Sequence, residues 1–199
     1  MVQKNTISTL SFEWAFCAAV LLAIGNGLPV PVFAAEAVPQ EYVEAVRKAE
    51  ADGLALYEAE QKGSAVEDKA VADARGQVST FCDFPYKPLR VTENGQEVLY
   101  LLGQAQHDNE MVVGRHFRIA GGDVQPSTRS CLTLSLGTPQ HRPVAVVVTH
   151  LLSATPTLFH VYLSLKHKIG IDVGTSAGNW AVQHGSITFL QARGPAPVK

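Results

Sequence analysis

All seven histidines of the chain lie in its second half, and histidine is a side chain that binds ligands and moves protons near neutral pH. His150 follows a run of valines. Residues 158–167 alternate apolar and polar side chains, which predicts a strand whose polar face carries His160 and Tyr162. We therefore predict a ligand-binding face that contains His150, His160 and Tyr162. The seven histidines are His107, His116, His141, His150, His160, His167 and His184.

Zinc is one ligand that such a face could hold, because zinc takes three or four nitrogen, oxygen or sulfur ligands in a tetrahedral arrangement. None of the short spacings typical of zinc sites occurs among these histidines. The sequence therefore predicts no metal site and no cofactor.

Residues 174–178 read Gly-Thr-Ser-Ala-Gly, which matches the G-x-S-x-G motif that exposes a nucleophilic serine between a strand and a helix. The pentapeptide resembles the nucleophile elbow of patatin-like lipases, and this resemblance implies a hydrolase with Ser176 as its nucleophile. The residues after Gly178 are strand-like, however, and small residues with two glycines also suit a tight turn. We interpret the segment as a turn. The alternative function is a small exported hydrolase or a metal-dependent enzyme that uses Ser176 or the sheet histidines.

Several basic residues of the second half could bind an anionic ligand. Alternation along the predicted strand places Arg115 and Arg118 on opposite faces, so we predict that they do not form one patch. The residues considered are Arg115, Arg118, Arg129, Lys166 and Lys168.

Residues 1–35 have the organisation of a signal peptide. Lys4 is followed by an apolar run over residues 15–24, then by glycines and prolines, and then by small residues up to Ala37. The apolar run is too short to span a bilayer, so no stable membrane span is predicted once this segment is removed. We predict cleavage between Ala34 and Val38 and a periplasmic or secreted protein.

Two cysteines remain after such cleavage, Cys82 and Cys131. They allow a single intramolecular pairing, and disulfides form in the oxidising compartments that exported proteins reach. The sequence therefore predicts a disulfide that closes a loop of about 50 residues and stabilises the fold by roughly 4 kcal/mol.

Residues 36–76 are predicted to be helical. Tyr42, Val46, Ala49, Gly53 and Leu56 recur at three or four residues and form one apolar stripe. Gly63 ends this helix, and a capping box over residues 64–67 begins a second one, so the pattern predicts a helical hairpin.

Residues 77–191 are predicted to form the β region of the same domain. The Asn94-Gly95 pair predicts a tight hairpin. Residues 144–152 are a predicted strand, and residues 145–148 within it are apolar on both faces, which predicts a central strand covered on both sides. Short turns between strands, with no crossover helix, favour an antiparallel meander, and residues 192–199 are predicted to be a disordered tail. The predicted fold class is α+β, with an N-terminal helical hairpin packed on a strongly curved, barrel-like sheet.

The net charge of −2 is far from the strongly basic balance of nucleic-acid-binding domains. No coherent set of acid, base and nucleophile emerges from the spacing of the polar residues. We therefore predict a non-enzymatic periplasmic or secreted binding or adaptor module, whose partner is an envelope protein or a small ligand.

Overall fold

The computed structural model of the chain describes residues 35–63, 67–78, 82–138 and 140–192. Three α-helices and ten strands lie within these ranges. The helices are α1 (Val43–Gln61), α2 (Lys69–Val78) and α3 (Leu158–His167), and a 3₁₀ turn, Gln40–Tyr42, precedes α1. The strands are β1 (Tyr86–Glu93), β2 (Gln96–Gly103), β3 (Glu110–Val112), β4 (Phe117–Ala120), β5 (Asp123–Pro126), β6 (Thr133–Ser135), β7 (Ala145–Thr149), β8 (Gly170–Gly174), β9 (Gly178–Gln183) and β10 (Ser186–Ala192).

The described strands form three separate open sheets, in the orders β1-β2-β4-β5, β10-β9-β8-β7 and β3-β6. Neighbouring strands are antiparallel except for β7 and β8, which are parallel. The fold is therefore α+β with several antiparallel sheets. The predicted single curved sheet is not confirmed, because β7–β10 form a sheet of their own, apart from the β1-β2-β4-β5 sheet. The parallel pairing of β7 and β8 uses a crossover through α3, which the predicted meander lacked.

Two-residue turns join three of the antiparallel pairs. Asn94 and Gly95 have φ values of 49° and 78°, and they connect Glu93 directly to its partner Gln96. Positive φ at both central residues is what a type I′ hairpin requires, so the Asn-Gly prediction is confirmed. His184-Gly185 forms the same kind of turn between β9 and β10.

Helix α1 buries the predicted stripe, including Val46, Ala49, Gly53 and Leu56. It packs on α3 so closely that a Cβ atom at Gly53 would lie 2.5 Å from the Cβ atom of Val161. Glycine is therefore required at this crossing point of the two helices. The main core surrounds these helices and takes side chains from the β7–β10 sheet, including Trp180 and Ile171, and from β1 and β2, including Leu89 and Tyr100.

Helix α2 buries its apolar face in a second cluster, against side chains of β1, β2 and β4. The buried residues of α2 are Val71, Ala74 and Val78. Both predicted N-terminal helices therefore form, but each packs on a different partner, and their packing as a helical hairpin is not confirmed.

Residues 158–167 form helix α3, so the predicted strand at this position is wrong. The residues are buried on every side of the helix between α1 and the sheet, and a helix buried all round shows no 3.6-residue pattern of polar side chains. Its apolar residues at every second position therefore imitate a strand.

Strand β7 lies at the edge of its sheet, so the prediction of a central strand covered on both sides is also wrong. Val148 is buried, whereas Val147 is 77% exposed. The valines of this strand are apolar on both faces, but only one face packs on the core.

A disulfide joins Cys82 and Cys131, with their Cα atoms 5.8 Å apart, as predicted. Within the described ranges, no helix is long and apolar enough to cross a membrane. Residues 1–34 of the predicted signal peptide, residues 64–66 of the predicted capping box and the tail beyond residue 192 lie outside the described residues.

Candidate ligand-binding site

The connection from β7 through α3 to β8 brings His150 and His160 together. His150 follows β7 directly, and its backbone N–H donates to the carbonyl oxygen of Gly174 at 2.8 Å. Its side chain lies on the same inward face as that of Val148. His160 lies in the first turn of α3, so the loop of residues 150–157 places the two imidazole rings side by side.

The two rings meet edge to face, with centroids 5.0 Å apart and an interplanar angle of 85°. Both residues are buried, His150 at 2% exposure and His160 at 4%. The two predicted histidines of the ligand face are therefore neighbours, although a helix rather than a strand positions His160.

Thr157 and His160 form a capping box at the start of α3. The backbone N–H of Thr157 donates to Nδ1 of His160 at 3.0 Å. Because Nδ1 is the acceptor in this bond, the proton of the neutral ring lies on Nε2. The cap therefore fixes both the orientation and the tautomer of His160.

His150 differs from His160 because neither of its ring nitrogens has a hydrogen-bond partner among the described residues. A buried polar group without a partner costs about 1–3 kcal/mol, so such groups are uncommon in native proteins. A neutral imidazole offers one donor and one acceptor, and in His150 neither is used by a described residue.

Burial keeps both rings neutral. It lowers the pKa of His150. Burial, together with the charges of His150 and His116, lowers the pKa of His160 to about 3. The site therefore carries neutral hydrogen-bonding groups near pH 7 rather than a pair of cations.

Two cavities border His150. One, of about 230 Å³, lies between residues 128–132 and 149–152, and its wall includes Arg129, Ser130 and Leu132. The other, of about 200 Å³, lies on the side of Phe159 and Thr157. His150 and Leu152 belong to both walls, so the buried ring lies between the two cavities.

Tyr162, the third residue of the predicted face, lies in a separate cluster. Its hydroxyl donates to Oε2 of Glu60 at 2.8 Å, and Lys166 and Lys87 donate to Oε1 at 3.0 and 3.1 Å. Burial opposes ionisation of Glu60, but the hydrogen bond from Tyr162 and the charge of Lys166 outweigh it and lower the pKa of this carboxyl. Burial and the charge of Glu60 raise the pKa of Tyr162.

His116 is a buried histidine whose two ring nitrogens both form hydrogen bonds, in contrast to those of His150. Its Nδ1 accepts from the backbone N–H of Gly103 at 3.0 Å, and its Nε2 donates to the carbonyl oxygen of Val112 at 2.9 Å. Burial lowers its pKa to about 4, and its ring stacks on Phe159. Both nitrogens are used, so we assign His116 a structural role.

The basic residues do not form one patch, and each has its own surroundings. Arg118 donates to Oε2 of Glu93 through Nε and Nη2, at 3.2 and 2.7 Å, so its charge is held in an ion pair. Arg129 is exposed on the wall of the larger cavity beside His150. It is the basic residue that an anionic group in this larger cavity would meet.

Residues 174–178 connect β8 to β9, two antiparallel strands of one sheet. The segment is therefore a hairpin loop rather than the strand–turn–helix unit that a nucleophile elbow needs. Ser176 is exposed in this loop, and its side chain forms no hydrogen bond with another described residue. In the described part of the chain, no group of three or more His, Cys, Asp or Glu residues is arranged to hold a metal ion.

No protein-family model, curated protein or solved structure matches the chain. The function is therefore inferred from the geometry and chemistry of the site around His150.

The sequence contains one signal for this site that the strand prediction missed. Thr157 followed three residues later by His160 has the spacing of a capping box, with histidine in the place of the usual glutamate or glutamine. Read as the start of a helix, this spacing would have placed His160 at the β7–α3 connection beside His150.

Proposed function

We propose that the chain is an exported, non-enzymatic binding module whose small ligand binds against His150. The observation that carries this proposal is the buried ring of His150, which borders two cavities and whose nitrogens have no partner in the part of the chain that the structure describes. A ligand that pairs with these nitrogens removes the free-energy cost of leaving them unpartnered.

The surroundings of His150 define the chemical class of the ligand. Leu132 and Leu151 are 39% and 75% exposed on the wall of the larger cavity, beside the exposed cation Arg129. Apolar walls with a few placed polar groups are typical of small-molecule sites. A molecule with a carboxylate and a short apolar body would pair with the His150 N–H and Arg129 and contact the leucines.

Titration with octanoate tests the ligand class, since octanoate is a carboxylate with an apolar chain. We expect saturable shifts of the ¹⁵N signals of the His150 ring and of the Leu132 methyl groups. The His150→Phe variant, which keeps a buried ring but has no nitrogen, should bind at least 10-fold more weakly. The His107→Phe variant changes an exposed histidine and should bind like wild type.

Equal binding by wild type and the His150→Phe variant would contradict the proposal, as would shifts confined to residues outside the two cavities. Failure of octanoate alone to bind would contradict the proposed ligand class.

Export is supported by the pattern of residues 1–35 and by the disulfide between Cys82 and Cys131. N-terminal sequencing of the protein recovered outside the cytoplasm should find a first residue between Ala34 and Val38. Retention of residues 1–30 would contradict this part of the proposal.

A further inference from the structure

The outer edge of β7 is open. Strand β7 pairs with β8 on one side, and among the described residues no other strand pairs with its second side. The opposite edge of the same sheet differs, because the N–H of Glu36 donates to the carbonyl oxygen of Phe189 in β10 at 3.0 Å.

The hydrogen bonds to β8 show which backbone groups face the open edge. The carbonyl oxygen of Val144 accepts from Gly170, and the N–H of His150 donates to Gly174. Because successive residues of a strand direct their backbone groups to opposite sides, Ala145, Val147 and Thr149 direct their N–H and C=O groups outward. A row of unpaired backbone N–H and C=O groups of this kind can form hydrogen bonds with a further strand.

The edge lacks the features that usually protect such a strand. The five residues of β7 are Ala-Val-Val-Val-Thr, without a charged residue or a proline. Val147 is 77% exposed, and Val144, next to the strand, is 90% exposed. An apolar, uncharged strand with open backbone groups favours pairing with another strand over contact with water.

We propose that β7 pairs with β7 of a second copy of this chain, antiparallel and around a twofold axis at Val147. In this register Val147 lies opposite Val147, and Ala145 lies opposite Thr149 of the second copy. Every outward N–H and C=O of the three residues then has a partner, and two four-stranded sheets become one continuous sheet.

The composition of the edge favours a second copy as the occupant. A twofold axis at Val147 lets the same surface serve both chains, which is the usual arrangement of a symmetric dimer. The β-branched pair at the axis is a stabilising cross-strand contact. Arg142, the charged residue nearest to β7 in sequence, falls opposite Leu152 of the second copy, so the two Arg142 side chains do not face each other.

Sedimentation equilibrium of the purified protein tests the pairing. We expect the mass of wild type to approach twice the monomer mass as concentration rises. The Val147→Pro variant removes one outward N–H and leaves the bonds to β8 in place, so its dimer should require at least a 10-fold higher concentration. The Val147→Lys variant should behave in the same way, which keeps the test valid if the proline variant does not fold.

The control variant is Gln183→Lys, which adds a charge to the exposed face of β9 away from the edge and should associate like wild type. Register is tested with Val147→Cys. Paired Cα atoms in a hydrogen-bonded antiparallel pair lie about 5.5 Å apart, which suits a disulfide. Mild oxidation should therefore cross-link the Val147→Cys variant through position 147 and not the Gln183→Cys variant.

A protein that stays monomeric at every concentration would overturn the proposal. So would a dimer that forms equally well in the Val147→Pro and Val147→Lys variants, or one whose Val147→Cys form does not cross-link.

Discussion

Three histidines, His116, His150 and His160, are buried as neutral rings at the centre of this fold. Burial lowers the pKa of each, to about 4 for His116 and to about 3 for His160. In the unfolded chain the same side chains titrate near pH 6.5. Below that pH the unfolded state therefore binds more protons than the folded state does.

The first prediction concerns pH. Because the unfolded state binds the extra protons only below pH 6.5, the free energy of unfolding should have its highest value above that pH. It should then fall by up to about 1.4 kcal/mol per pH unit for each of His116 and His160 as the pH drops from 6.5 toward 4, and His150 should add to the fall in the same direction. Urea denaturation followed by the fluorescence of the buried Trp180 at pH 7.5, 6.5 and 5.5 measures this slope. A His107→Gln control should keep the wild-type slope, and equal stability at pH 7.5 and 5.5 would contradict the prediction.

Glu60 accepts hydrogen bonds from three side chains, Tyr162, Lys166 and Lys87. Its side chain is 8% exposed, whereas the two lysines are 27% and 33% exposed. The lysines can therefore turn to water if the carboxylate is lost, but the hydroxyl of Tyr162 is held inside.

The second prediction is that the Glu60→Gln variant loses about 1–2 kcal/mol of unfolding free energy, since the ion pairs vanish while one hydrogen bond is kept. The matched control is Glu58→Gln, on the same helix, which removes an exposed pair with Lys62 and should change stability by less than about 0.5 kcal/mol. Equal losses in the two variants, measured by urea denaturation, would show that the Glu60 cluster stabilises the fold no more than the exposed pair of Glu58 and Lys62 does.

Among the elements, the crossing of α1 and α3 depends on Gly53. A Cβ atom there would lie 2.7 Å from the carbonyl oxygen of Leu158, in addition to its clash with Val161. The site has no room for a methyl group unless the helices separate. Separation would pull α3, and with it His160, away from the sheet.

The third prediction is that the Gly53→Ala variant is destabilised by about 1–3 kcal/mol, because overpacking outweighs the better helix propensity of alanine. The matched control is Gly76→Ala in α2, where an added Cβ atom meets nothing within 4 Å. It should gain up to about 1 kcal/mol. Thermal unfolding of the two variants should therefore shift in opposite directions, and a rise in both would disprove the close packing.

The fourth prediction compares the stability lost when aspartate replaces each of two adjacent valines of β7. The Val148→Asp variant buries an unpaired charge and should lose more than about 3 kcal/mol. The Val147→Asp variant places the same charge on the exposed face and should lose about 1 kcal/mol or less, from the low strand propensity of aspartate. Equal losses in urea denaturation would mean that β7 is covered on both sides.

How far the sequence predicts these elements depends on what surrounds them. The stripe of α1 and the Asn94-Gly95 turn follow from local periodicity and backbone preference, and both are confirmed. The edge position of β7 does not follow from its valines, because an apolar run shows that a strand can be buried but not which neighbours cover it. The pairing of His150 with His160 depends on α3, in which six successive buried residues, 159–164, hide the helical period.

On the scale of the whole molecule, the disulfide is the contact that depends least on packing. It joins the segment before β1 to the segment after β5, which are 49 residues apart in sequence. All four strands of the β1-β2-β4-β5 sheet lie between its two cysteines.

The fifth prediction concerns a Cys82→Ser, Cys131→Ser double variant, which has no disulfide. Its free energy of unfolding should be lower by about 4 kcal/mol, because the unfolded chain gains conformational entropy when the cross-link is absent. Urea denaturation of wild type with and without a reductant should reproduce the same loss. A double variant as stable as wild type would show that strand pairing alone holds this region together.

The position of this bridge has a consequence for proteolysis. The turn between β4 and β5 contains two glycines with positive φ, Gly121 and Gly122, and both are exposed, which makes it an accessible site for a protease. Because the cut would fall inside the loop that the disulfide closes, the two halves would remain one covalent molecule. An enzyme that nicks the chain at this turn would leave the sheet assembled and release no fragment.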